Sequence, residues 1–151
     1  MYWRVIPDIV AITVHTSQAP SDEDWDEYLA DMAKHVHTIK GLLVYSESVG
    51  PSAPQRGRSN DLFNELGADI PTAIMTGSKM VRGIVTAISW AVGTKIKAFS
   101  TRDFAGAMKY LELTNEEQLR VRVVLKGLSR GAEVVVDAFA DESGKFRRKY
   151  N

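Results

Sequence analysis

The chain has no cysteine among its 151 residues, only three histidines and five prolines, and no net charge. Without cysteine there can be no disulfide framework, no thiolate nucleophile and no sulfur ligand for a metal. The histidines, His15, His35 and His37, do not make up the deficit. His35 and His37 stand two apart, so on a helix they point in different directions and do not form the i, i+4 pair that holds zinc. No metal site and no cofactor are expected. Nineteen acids balance nineteen bases, which argues against a dedicated nucleic-acid binder, because such proteins need a basic surface. No apolar run approaches the roughly 18 residues that suggest a membrane span. The opening Met1-Tyr2-Trp3-Arg4-Val5 lacks the basic region and apolar core of a secretion signal. The expectation is a single-domain cytoplasmic protein with no transmembrane segment.

What is present is an ordinary globule, 44% hydrophobic and 25% charged, long enough to bury about two thirds of its unfolded surface. The zero charge hides an asymmetry. Residues 1–70 carry five bases and eleven acids, and residues 71–151 carry fourteen bases and eight acids, so the halves are −6 and +6. Six of the acids fall between Asp22 and Asp31, and four bases fall between Lys145 and Asn151.

Tyr2–Ile6 and Ile9–Val14, parted by Pro7-Asp8, read as an opening hairpin rich in β-branched residues. Ser21 caps a first helix whose apolar residues Trp25, Tyr28, Leu29, Met32 and Val36 fall on one stripe. Gly41–Tyr45 reads as a strand covered on both faces. Residues 46–58, with two glycines and two prolines, read as an irregular loop. A short helix follows, capped by Ser59, with Leu62, Phe63 and Leu66 inward and Gly67 as its stop. Pro71–Thr76 is the next strand. Lys79–Val92 is helical, with Met80, Ile84, Ala87, Ile88 and Ala91 on its inner side and Gly93 ending it. Lys95–Phe99 alternates as an edge strand does. Ser100 with Asp103, and Thr114 with Glu117, form capping-box patterns, the second opening a helix with Leu119, Val123 and Leu128 inward. Glu133–Phe139 fits either a helix extension or a strand, and Lys145 onward reads as a tail. The fold class is therefore α/β: a mixed, mostly parallel sheet with an opening hairpin, helices packed on it and an extra C-terminal helix. The expected division is a domain over 1–113, a further helix of the same domain over 114–130, and an extension or tail over 131–151.

This order resembles the STAS domain, and within it the bacterial anti-sigma-factor-antagonist-like branch. The resemblance is carried by Pro20-Ser21-Asp22-Glu23-Asp24-Trp25, Gly41-Leu42-Leu43-Val44, Pro71-Thr72-Ala73-Ile74-Met75-Thr76 and Arg82-Gly83-Ile84-Val85-Thr86-Ala87. It implies a non-catalytic regulatory or adaptor protein acting through protein contacts, with a serine kinase, an anti-sigma factor or another regulator as partner. In that family a serine in an Asp-Ser-x-Gly-Leu motif is phosphorylated. The counterpart here is Ser48 in Glu47-Ser48-Val49-Gly50-Pro51, where Glu replaces Asp and Pro replaces Leu.

The residues themselves suggest a binding surface rather than an active site. The 46–58 stretch lies beyond a strand's carboxyl end, where open α/β sheets bind ligands. It holds Gln55, Arg56 and Arg58, and the following helix opens with Ser78, Lys79 and Arg82. Helix-terminal amides, a hydroxyl and cations suit an anion or a protein partner. No GxSxG elbow or strict phosphate loop is present, and no catalytic residue is assigned. The alternative is a small-molecule or lipid-binding domain with a pocket or interface lined by Trp25, Phe63 and Trp90. A homodimer is left open.

Overall fold

The computed structural model describes residues 1–47, 49–92 and 95–139, with the backbone alone over 87–92. Among the described residues, five strands and five α-helices follow the expected order. Strands β1 (Tyr2–Ile6) and β2 (Val10–His15) form an antiparallel hairpin. Its turn is closed by Ile9 N–H donating to Ile6 O at 3.1 Å, with Asp8 at φ 62. Aspartate tolerates that left-handed conformation better than most residues. Strands β3 (Gly41–Ser46), β4 (Thr72–Thr76) and β5 (Ile96–Phe99) then add in parallel, giving the spatial order β1-β2-β3-β4-β5.

Each crossover steps one strand further in the same direction. Right-handed crossovers of that kind place their helices on one face. Those helices are α1 (Asp22–His35), α2 (Ala53–Glu65) and α3 (Lys79–Val92). The other face is covered by α4 (Phe104–Tyr110) and α5 (Asn115–Gly131). The core divides accordingly. Val10, Ile12, Val14, Leu43, Tyr45, Ala73 and Met75 alternate toward α4 and α5 and pack on Phe104, Met108, Leu111, Val121 and Leu125. Ala11 and Leu42, one residue out of phase, meet Trp25, Tyr28, Leu29 and Met32 of α1. Strand side chains point alternately to the two faces, so both faces of β2 are buried along its whole length.

Several local expectations are revised. Helix α2 begins at Ala53, not after Ser59. Ser52 is its cap, Gln55 completes a capping box, and Pro54 falls in the first turn. A proline there loses no intrahelical bond, so it opens a helix rather than excluding one. Leu62, Phe63 and Leu66 are half-buried, and Gly67 does end the helix at φ 63. The cap of α4 is Asp103 itself, accepting from Gly106 N–H. The inner sides of α3 and α5 are shifted. Met80 is 74% and Ile84 51% exposed, while Val81 and Val85 are half-buried. Leu119 and Val123 are 64% and 71% exposed, while Val121 and Leu125 are fully buried. Both helices carry apolar residues on two sides, so periodicity alone does not pick the buried one.

Residues 132–139 are neither a helix extension nor a strand. Ala132 caps α5 and Glu133, at φ 55, reverses the chain. Val136 and Phe139 then enter the core, with Phe139 edge-on to Phe104 at 5.2 Å between centroids. Tyr45 Oη donates to Val135 O at 2.9 Å, and Thr101 Oγ1 donates to the Asp137 carboxylate at 2.6 Å. The expected stop at Gly93 and the tail from Lys145 lie outside the described residues.

Candidate functional site

The parallel strands end in a row of polar side chains. His15 pairs in register with Ser46, and Ser46 with Thr76. All three share the face covered by α1 to α3. Ser46 Oγ donates to Val49 O at 2.8 Å. Thr76 Oγ1 accepts from Ser78 N–H at 3.2 Å, and Arg82 donates to Thr76 O at 2.7 Å. His15 is 3% exposed and stacks on Trp25 at 6.4 Å. Its Nδ1 has no hydrogen-bond partner. Burial pushes its pKa down from 6.5 to about 4, with the positive α-amino group of Met1 adding to the effect. The imidazole is therefore neutral at pH 7.

The six proposed binding residues fall into two groups. Gln55, Arg56 and Arg58 lie in the first two turns of α2, with Gln55 and Arg58 on its seam with α1. Gln55 is buried, and its side-chain amide donates to Pro20 O at 3.0 Å and to Asp22 Oδ1 at 3.1 Å. Its own carbonyl accepts from the Trp25 indole N–H at 2.8 Å. Arg56 donates to Pro51 O at 2.6 Å. Arg58 bridges Asp22 and Asp26, each at 3.1 Å. Hydrogen bonds from Gln55 and Arg58 hold the Asp22 carboxyl below its ordinary pKa. The contacts of Gln55 and Arg58 tie α2 to α1, and all three cationic or amide groups are already engaged.

The second group opens α3. Ser78 Oγ accepts from Val81 N–H at 3.2 Å as an N-cap. Arg82 is half-buried against the strand end, and Lys79 is exposed. No hydrogen bond or ion pair joins the two groups among the described residues: Arg56 and Arg58 are held by Pro51 O, Asp22 and Asp26, and Arg82 by Thr76 O.

Trp25 is 5% exposed and lies in a filled layer with Met32, and Phe63 packs half-buried against that layer. Ser48 and the Trp90 side chain lie outside the described residues. A cavity of about 570 Å³ does open, but at the amino ends of β3 to β5, between Lys40, Pro71, Lys95, Tyr110, Leu111 and Glu112. Its lysines are paired with Glu117 at 2.7 Å and Asp69 at 2.6 Å. Among the described residues no group of His, Asp and Glu is arranged to hold a metal ion, and no helix is long and apolar enough to cross a membrane.

The sequence reading missed the His15, Ser46 and Thr76 row. Its signal was there: each of three apolar strands closes on one polar residue, Val14-His15, Tyr45-Ser46 and Met75-Thr76. Comparison with known proteins finds no matching family model, curated protein or solved structure.

Proposed function

We propose that this chain is a non-catalytic regulatory or adaptor module of bacterial STAS type, working in the cytoplasm by binding a protein through the first turns of α3 and the adjoining segment after β3. The observation that supports this most directly is the exposure of Met80 and Ile84 on a helix whose cationic residues have no nearby acid in the sequence. Residues 70–102 contain five bases and no acid at all. Exposed apolar side chains grouped with one sign of charge are characteristic of an interaction surface. A partner of matching chemistry presents carboxylates around an apolar patch. Ser48 stays the phosphoacceptor candidate on its sequence context. Phosphate there would add roughly 1.5–2 negative charges close in sequence to the binding segment, as control by a serine kinase requires.

The test is protein capture by the immobilised chain and by a Met80→Ser/Ile84→Ser variant, read by mass spectrometry. Both positions are exposed, so the variant should fold with stability within about 0.5 kcal/mol of the parent. A protein held by the parent and lost from the variant supports the reading. Equal capture by both overturns it. Native mass spectrometry of the purified chain separates the alternative: a co-purified small molecule or lipid would make this a ligand-binding domain.

A further inference from the structure

Helix α5 lies on the opposite face of the sheet from α3 and carries a second exposed stripe. Glu116, Leu119, Val123, Gly127 and Arg130 are all exposed. At 3.6 residues per turn they fall within about 40° of one line along the helix. The order of this stripe is symmetric about Val123. Leu119 lies four residues before it and Gly127 four after, and Glu116 lies seven before and Arg130 seven after. We propose that α5 is a homodimerisation surface, pairing antiparallel with α5 of a second copy across a two-fold axis at Val123.

The stripe is complementary to its own reverse. Turned end for end, Val123 meets Val123 of the second copy. Leu119 enters the layer where Gly127 of the second copy leaves room, and Glu116 meets Arg130 of the second copy at both ends. A two-fold interface must match itself in this way. Neither Glu116 nor Arg130 has an ion-pair partner among the described residues. Glycine weakens a helix interior, and a Cβ at Gly127 would meet nothing among the described residues, so packing within them does not call for glycine there. Close approach of another helix does. Tyr2, 43% exposed and 3.6 Å from where a Cβ on Gly131 would lie, extends the apolar surface beyond the helix end. Flanking Lys126 lies over the Phe139 ring at 5.1 Å. Glu116 and Arg130 also suit the dipole of their own helix, but that leaves Leu119 and Val123 without a reason to be exposed. One helix pair is smaller than the roughly 800 Å² per partner of a standard interface, so the dimer is expected to be reversible. This inference does not depend on the reading of α3.

The full chain would be followed by sedimentation velocity over a concentration series, with circular dichroism confirming that each variant is folded. The parent is expected to move from monomer to dimer with rising concentration. Val123→Glu, which sets two carboxylates face to face, should weaken the dimer about tenfold or more, equivalent to about 1.4 kcal/mol. Glu116→Arg and Arg130→Glu should each weaken it, and the double exchange should restore it. Because the chain has no cysteine, Val123→Cys and Leu119→Cys each give a single thiol. Oxidation should link Val123→Cys into a dimer and leave Leu119→Cys monomeric. A parent monomeric at every concentration overturns the proposal. So does a Val123→Glu dimer as tight as the parent's, a double exchange without recovery, or equal cross-linking of the two cysteine variants.

Discussion

His15 should make the protein acid-sensitive well above the pH at which carboxylates titrate. In the unfolded chain its pKa is near 6.5, and in the fold it is lowered to about 4. Between those values the unfolded state binds a proton that the folded state does not, so stability falls as the pH falls. The contribution is negligible above pH 7, where both states are neutral. It amounts to about 2 kcal/mol of lost stability at about pH 5, and to about 3 kcal/mol below pH 4, where both states are protonated. Against a typical total of about 5–15 kcal/mol this is a large fraction. The cause is geometric. The ring sits 3% exposed at the end of β2, stacked on Trp25, with no partner at Nδ1 to share a positive charge. Asp22 and Glu117 have lowered pKa values as well, but carboxylates lose their effect only at lower pH, so the interval from pH 7 to 5 isolates the histidine. The assay is urea unfolding at fixed temperature, followed by tryptophan fluorescence and far-ultraviolet circular dichroism, at about pH 7 and about pH 5. His15→Phe keeps a ring against Trp25 and removes the titration. The parent should lose about 2 kcal/mol more than the variant over this interval, with unchanged denaturant dependence. Parallel losses in the two proteins would refute the reasoning, since they would show that the imidazole takes up its proton within the fold.

Three further outcomes test the packing. Phe139→Ala should cost about 3–5 kcal/mol, because Phe139 is 6% exposed and packs on Phe104; a loss within 0.5 kcal/mol in a thermal melt would place residues 132–139 outside the core. Gly41→Ala should destabilise by about 1–3 kcal/mol, since a Cβ there would lie 2.6 Å from Pro71 O and 2.7 Å from Leu111 Cδ2; calorimetry showing a neutral change would mean that α4 can move away from the sheet. Gln55→Ala removes half of a capping box and two side-chain hydrogen bonds and should cost about 2 kcal/mol in urea unfolding, whereas a surface-like effect would detach α2 from α1.

The parts of the fold that were legible in the sequence are those where one physical signal dominates. The order of strands and helices followed from β-branched runs alternating with helical stripes, and α1 presents the stripe expected of it, Trp25, Tyr28, Leu29 and Met32 all buried. Turn chemistry was equally readable at Asp8 and Gly67, both left-handed. The errors arose where two signals compete. Residues 46–58 contain prolines and glycines that read as loop formers, yet Ser52 and Gln55 cap a helix that Pro54 fits. In α3 and α5 both sides carry large apolar residues, and the buried one is set by where the helix lands on the sheet, which no local pattern encodes. The candidate site was half legible for the same reason. Ser78, Lys79 and Arg82 were placed correctly at a strand's carboxyl end, but nothing local reveals that Arg58 meets Asp22 and Asp26 across two helices.

The charge balance also takes on a location. The acids of Asp22–Asp31 ride on α1, which packs over the β1–β3 side of the sheet, where Trp3 and Ala11 join its cluster. Two of them are answered by Arg58. The acid-free stretch 70–102 forms β4, α3 and β5, at the opposite edge of the same sheet. The two signs are thus separated by the width of the sheet. A charge pair at that distance is screened at physiological salt, where the Debye length is about 8 Å, so the basic edge is not neutralised by the acidic one. Lys97 on β5 also disfavours pairing of that edge with the same edge of another copy, where it would face like charge. On the two readings proposed above, the basic edge is the side that would meet an acidic partner, and α5, with both signs arranged symmetrically, the side that would meet a second copy.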